Sequence, residues 1–119
     1  MILREGGTMK HQHYSDVARE GVEGYSGVTV RWLISKNDGA PTFAMRLFEV
    51  EPGGASPYHQ HEWEHEVFIL QGTGVVKKEY GEEKFSKGDF FFIHPNEWHQ
   101  FINTGKSVFQ FLCLIPIQE

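Results

Sequence analysis

The chain has a single cysteine, Cys113, so no disulfide can close within it. No apolar run approaches the ~18 residues of a membrane-spanning helix, and the first residues lack the apolar stretch of a secretory leader, so a cytoplasmic protein is expected. Cations are the minority, 11 Lys and Arg against 16 Asp and Glu, and they form no stripe. Phosphate neutralisation needs clustered cations, so neither nucleic acid nor a membrane is an expected partner. Repeats and low-complexity linkers are also missing. At 119 residues the chain can build one hydrophobic core but not two.

Ten Phe and thirteen Gly accompany short apolar runs, the composition of an all-β domain with many tight turns. Residues 28–34 read as a first strand and residues 43–51 as a second, ended by Pro52-Gly53-Gly54. A strand bearing histidines follows, then strands at 66–71, 74–80, near Lys84 and Phe85, and at 90–93, 99–103 and 107–115. Short strands at regular intervals with turn signals between them point to a closed sandwich or barrel. Residues 1–27 are mixed and polar, and are expected to form an arm that packs on the barrel or on a dimer partner. Residues 28–119 then make up the single domain.

The chemistry concentrates between Gly53 and Gly72, in GGASPYHQHEWEHEVFILQG. His59, His61 and His65 stand there at i, i+2 and i+6, and His99 follows in PNEWHQFIN. Side chains at i and i+2 leave a strand on one face, so His59 and His61 can point into a barrel together. A return strand starting at His65 and a later strand at His99 can complete the set. Neutral imidazole is the commonest protein ligand of first-row transition metals, and four of them can close around one divalent ion. His61 and His65 also have the i, i+4 spacing of a helical zinc-protease motif, but Pro57 and the strand-rich flanks argue against a helix. His11 and His13 repeat the His-x-His spacing in the polar arm, without apolar alternation, and read as surface residues.

Five further residues are candidates for a ligand pocket. Arg46 interrupts the apolar strand Ala44-Met45-Arg46-Leu47-Phe48, and either faces solvent or points inward to pair with a carboxylate. Trp63 and Trp98 flank histidines and can rim the mouth or simply pack. His94 precedes Pro95 and reads first as structural. Cys113 alternates with apolar residues and reads first as a small buried hydrophobe, with thiolate chemistry near the metal as a secondary expectation. Glu66, next to His65, is either an acceptor that orients an imidazole or an outward charge.

The segment resembles the first cupin motif, Gly-x5-His-x-His-x3,4-Glu-x6-Gly, with Gly53, His59, His61 and Gly72 in register. At the glutamate position His65 satisfies both the x3 and the x6 spacings. The second cupin motif, Gly-x5-Pro-x-Gly-x2-His-x3-Asn, is matched by Gly88, His99 and Asn103, with His94 at the usual Pro and Asn96 at the usual Gly. Asn tolerates a left-handed turn better than other non-glycine residues. The chain is similar to small bacterial single-domain cupins with an all-histidine metal site. That resemblance implies a double-stranded β-helix, or jelly-roll barrel, a homodimer and one bound divalent metal, often manganese or iron; zinc, nickel and copper also suit imidazole ligands.

Replacing the usual glutamate by His65 removes a negative charge, which leaves the ion a stronger Lewis acid that attracts anionic chelators. An octahedral ion held by four histidines keeps two positions for a ligand, whereas tetrahedral zinc would be filled and structural. Three functions follow as expectations. The first is a metal-dependent, dioxygenase-like enzyme acting on a small oxygenated or anionic molecule. The second is a redox-neutral isomerase or decarboxylase, and the third a ligand-binding or sensor protein without turnover.

Overall fold

A computed structural model describes residues 8–118. Among the described residues the order is β1 (Glu20–Val22), β2 (Tyr25–Ile34), β3 (Phe43–Val50), β4 (His65–Gln71), β5 (Thr73–Lys78), β6 (Glu82–Ser86), β7 (Phe90–Ile93), β8 (His99–Ile102) and β9 (Phe109–Pro116), with two short 3-10 turns and no α-helix. All pairings are antiparallel. One sheet has the strand order β1-β2-β3-β9-β4-β7 and the other β6-β5-β8. The two sheets close over a common core as a jelly-roll barrel. None of the described helices is long and apolar enough to cross a membrane.

Register carries the large sheet's inner face from strand to strand. Val30 pairs with Phe48, Phe48 with Phe111 and Phe111 with Ile69. Directly opposed side chains share a face, so this row and its neighbours pack inward on Phe101, Phe109 and Phe85. Phe111 lies 4.9 Å from both Phe48 and Phe101 and 5.0 Å from Phe109, ring centre to ring centre. Each buried Phe is worth roughly 1.5–3 kcal/mol relative to exposure. Gly72 makes the turn from β4 to β5 at φ 94, where a Cβ would sit 2.8 Å from the Cα of Phe109.

Two differences from the expected layout bear on the site. Strand β2 starts at Tyr25 and is preceded by β1, so residues 20–27 of the expected arm take part in the large sheet. Residues 8–19 lie against β2 of the same barrel: the Lys10 ammonium donates to the Leu33 carbonyl at 3.0 Å, and the Arg31 guanidinium sits 5.5 Å from the Tyr14 ring. His11 and His13 are exposed. The rest of the arm, residues 1–7, lies outside the described residues, as does residue 119.

The second difference is the segment expected to be the histidine strand. It forms only two isolated bridges, Ala55 with Ile102 and His59 with His99. Pro57 has no N–H to give a ladder, and the register gains one residue between the bridges, as in a bulge. Ser56 bridges the break: its Oγ accepts the Phe101 N–H at 2.8 Å and its carbonyl accepts the Gln100 amide at 2.8 Å. Asn96 takes φ 67, the left-handed conformation expected of its place at the glycine position of the second motif.

Candidate metal centre

His59 and His99 are directly opposed across their bridge and exchange both backbone hydrogen bonds, at 3.2 and 3.0 Å. Their imidazoles therefore leave one face, with ring centres 4.7 Å apart. His65 comes from the other sheet, as the first residue of β4, in phase with buried Val67 and Ile69. Ring nitrogens of His59, His65 and His99 all lie within 4.8 Å of one another. An ion with bonds of ~2.1 Å needs nitrogens about 3–4 Å apart, so small side-chain shifts suffice to close the three around it.

The donor chemistry fits a cation. The His99 Nδ1 lies 2.9 Å from the Glu97 carbonyl, an acceptor that fixes the proton on Nδ1 and leaves Nε2 free to coordinate. The His65 Nδ1 is buried with no partner, a cost that a folded protein normally avoids. Burial, then the charges of His99 and Arg46, push the His65 pKa down to about 3. Burial, then His99, His61 and Arg46, bring His59 down to about 4. His61 and His99 are lowered too, chiefly by burial, with the Glu97 carbonyl pulling His99 the other way. Neutral imidazoles, the form that coordinates, are thus what the fold supplies at pH 7.

His61 stands beside this trio without joining it. Its ring centre is 4.3 Å from that of His59 and 5.3 Å from that of His65, and it stacks at 4.5 Å on Trp63, nearly parallel. Trp63 thereby holds the His61 ring in orientation instead of rimming a mouth. Trp98 stacks on Tyr58 at 4.9 Å, away from the cavity. His94 is exposed, its Nδ1 3.5 Å from the Glu97 carboxylate, and does not reach the cavity either. Glu66 is exposed on the outer face of β4, opposite in phase to His65. Adjacent strand residues point to opposite faces, so Glu66 cannot orient an imidazole of the site.

Arg46 and Cys113 do line the cavity that opens over the histidines, about 170 Å³ in volume. They are cross-strand partners, and the Arg46 Nη2 donates to the Cys113 sulfur at 3.0 Å. Burial raises the thiol pKa, against the pull of Arg46. The thiol therefore stays protonated at neutral pH, and thiolate chemistry is not what this environment favours. Trp32, Phe48, Phe101 and Phe111 complete much of the wall. Trp32 is not among the residues expected at the site, although it follows buried Val28 and Val30 at i+4 and i+2 on one strand and so shares their inner face.

The Cupin domain family model matches residues 46–115. The chain belongs to the cupin family. Among solved cupin structures it is similar to the polyketide cyclase RemF from Streptomyces resistomycificus, with 36% identity and a TM-score of 0.87 over 93% of this chain and 81% of that one. It is 33% identical over 100 residues to the 1-methylthio-D-xylulose 5-phosphate methylsulfurylase of Rhodospirillum rubrum, covering 84% of this chain and 63% of the relative. It is 35% identical over 74 residues to the Oxalate-binding protein of Thermotoga maritima, covering 59% of this chain and 61% of the relative. The matches thus span just over three fifths of each of these two curated relatives.

Proposed function

We propose that this cupin is a metal-dependent enzyme acting on a small oxygenated or anionic molecule. The observation that carries the reading is the convergence of His59, His65 and His99 from two sheets at a largely apolar cavity whose walls contain no carboxylate among the described residues. In this reading His61 swings from Trp63 to become a fourth ligand to one divalent transition metal, manganese or iron. The bound ion would supply Lewis acidity and, if redox active, electrons for dioxygen. The protein's own part is to keep four imidazoles neutral, to exclude water with an aromatic wall, and to present the Arg46 charge to the ligand.

Dioxygenase-like turnover is the first reading, because the cavity offers no carboxylate to act as a general base. A redox-neutral reaction is the second, favoured by the 36% identity to a polyketide cyclase. Oxygen uptake separates them. Metal analysis of untagged protein should find about one manganese or iron per chain. Turnover of a chelating diketone, catechol or keto acid that stops without oxygen supports the first reading, and turnover that persists anaerobically supports the second. Binding without turnover in either atmosphere would overturn both in favour of a ligand-binding protein.

The assembly expected is a homodimer. Phe68, Phe90 and Phe92 are 45%, 76% and 53% exposed on the outer face of β4 and β7. Phe68 and Phe90 are direct cross-strand partners there, and β7 is one of the two edge strands of the large sheet among the described residues. An apolar patch on an open edge is the kind of surface that a second copy covers.

A further inference from the structure

The cavity wall holds a permanent cation, Arg46, with no group of opposite charge beside it among the described residues. Trp32, Arg46, Cys113 and Val67 form one cross-strand row on the inner face of β2, β3, β9 and β4. Within that row the Arg46 guanidinium lies 5.4 Å from the Trp32 ring and 4.9 Å from the Phe48 ring, so aromatic groups cover it. Among the described residues its one acceptor is the Cys113 sulfur, and its Nε is buried without a partner. A guanidinium has five N–H donors in a planar fork that matches a carboxylate. The cavity's other titratable groups are the three imidazoles, kept neutral by burial, and the Cys113 thiol.

Two other charged residues on β3 and β2 show what a satisfied arginine looks like in this same sheet. Arg31 donates its Nε to the Glu49 carboxylate at 3.1 Å. Arg46 has no such carboxylate among the described residues, and a half-buried cation with its Nε out of water and no counter-ion is costly to keep. A sulfur acceptor is weak compensation.

We propose that Arg46 determines specificity by binding the anionic group of the ligand, and that the ligand is a planar aromatic or enolic anion. The charge selects the anion. The flat body follows from the chemistry of the walls: Trp32, Phe48, Phe101 and Phe111 line the cavity, and aromatic side chains favour contact with another flat ring or enol. Arg46 and His59, His65 and His99 line the same cavity, so an anion held on Arg46 would leave its other oxygens free to turn towards the histidine cluster. This assignment rests on the metal-site reading above, and it deepens that reading by naming the class of ligand.

The test uses salicylate and its neutral isostere salicylamide, each titrated into the purified full chain by calorimetry, alongside metal analysis of every variant. The wild type is expected to bind salicylate at least tenfold more tightly than salicylamide. Arg46→Gln should lose that preference with its metal content unchanged, and Arg46→Lys should recover part of it, because the charge returns without the fork. Cys113→Ser should keep the full preference. Equal binding of the two probes by the wild type, or no binding of either, overturns the assignment without recourse to any variant. Salicylate preference that survives Arg46→Gln also overturns it. Should the protein hold no metal yet still prefer salicylate through Arg46, the metal reading fails while this one stands.

Discussion

His59 and His99 exchange two backbone hydrogen bonds, 3.2 and 3.0 Å long, across an isolated bridge that follows a bulge at Pro57. The bulge sets the register so that both imidazoles emerge on the inner face, opposite His65 of the other sheet. A metal bound here would tie the two sheets together. His99→Ala should therefore lower metal affinity by more than the ~10–100-fold typical of losing a partner beyond the ligands themselves. Metal analysis after dialysis against a weak chelator reads this directly. Chelation of the wild type should also lower its melting temperature, since an ion bound at a hundred times its Kd adds ~2.7 kcal/mol. A variant that retains its metal would remove His99 from the ligand set.

Asn103 shows that the second motif carries fold as well as chemistry. It is 2% exposed, donates to the carbonyls of Val50 and Ser107 at 2.8 and 2.9 Å, and accepts the Gly105 N–H at 2.8 Å. The side chain thus fastens the end of β8 to β3 and to the approach to β9. Asn103→Ala would orphan three backbone groups, and each buried orphan costs ~1–3 kcal/mol before water or relaxation offsets it. Denaturant unfolding should show a loss of about 2–4 kcal/mol, with metal stoichiometry unchanged in the protein that remains folded. A loss below the error of the fit would mean that solvent replaces the amide at no cost.

Three of the four motif histidines, His59, His65 and His99, come together as their spacing suggested, because motif spacing survives irregular backbone, whereas His61 stands outside the trio. His59 and His99 needed only to be opposed, and a bulge does not disturb that. The placement of His65 against Glu66 was harder to read from alternation, since β4 is apolar on both faces: Val67 and Ile69 point inward, Phe68 and Leu70 outward. Spacing to Gly72 chose His65, and the structure puts it inside. Local reading failed where the answer depends on what lies across the sheet. Arg46 could face either way until its pairing with Trp32 and Cys113 was known, and the stack of Trp63 on His61 could not be read from spacing alone. Strand β1 escaped notice because Glu20-Gly21-Val22 has neither alternation nor length, and gains its order from β2.

The outward set on β4 and β7 leads to a prediction about assembly. Phe90 and Phe92 are exposed on an edge strand, where a lysine would add charge without filling any buried space. Charged residues on edge strands are a common way of preventing pairing. The wild type is expected to sediment as a dimer at micromolar concentration, and the double variant Phe90→Lys, Phe92→Lys as a folded monomer. A wild-type monomer would show that the patch has another use, and a dimeric double variant would move the interface elsewhere.

The depressed histidines fix the sign of the acid response of the metal-free protein. In the folded state His59 titrates at about 4 and His65 at about 3, against 6.5 for an unperturbed imidazole. Between those values the unfolded chain binds more protons than the folded one, so stability rises with pH. The contribution of the neutral imidazoles is fully present above about pH 6.5 and is lost as the pH falls through the folded values. Calorimetric melts of metal-free protein should therefore show a falling transition temperature from about pH 6.5 down to about pH 4. Other acid-sensitive groups contribute to that slope, so the His65→Leu variant supplies the control. It should lose less stability than the wild type over the same range, because leucine takes up no proton on unfolding. Parallel curves for the two proteins would mean that His65 is protonated as easily inside the barrel as outside, and the apolar pocket would not then be what keeps it neutral.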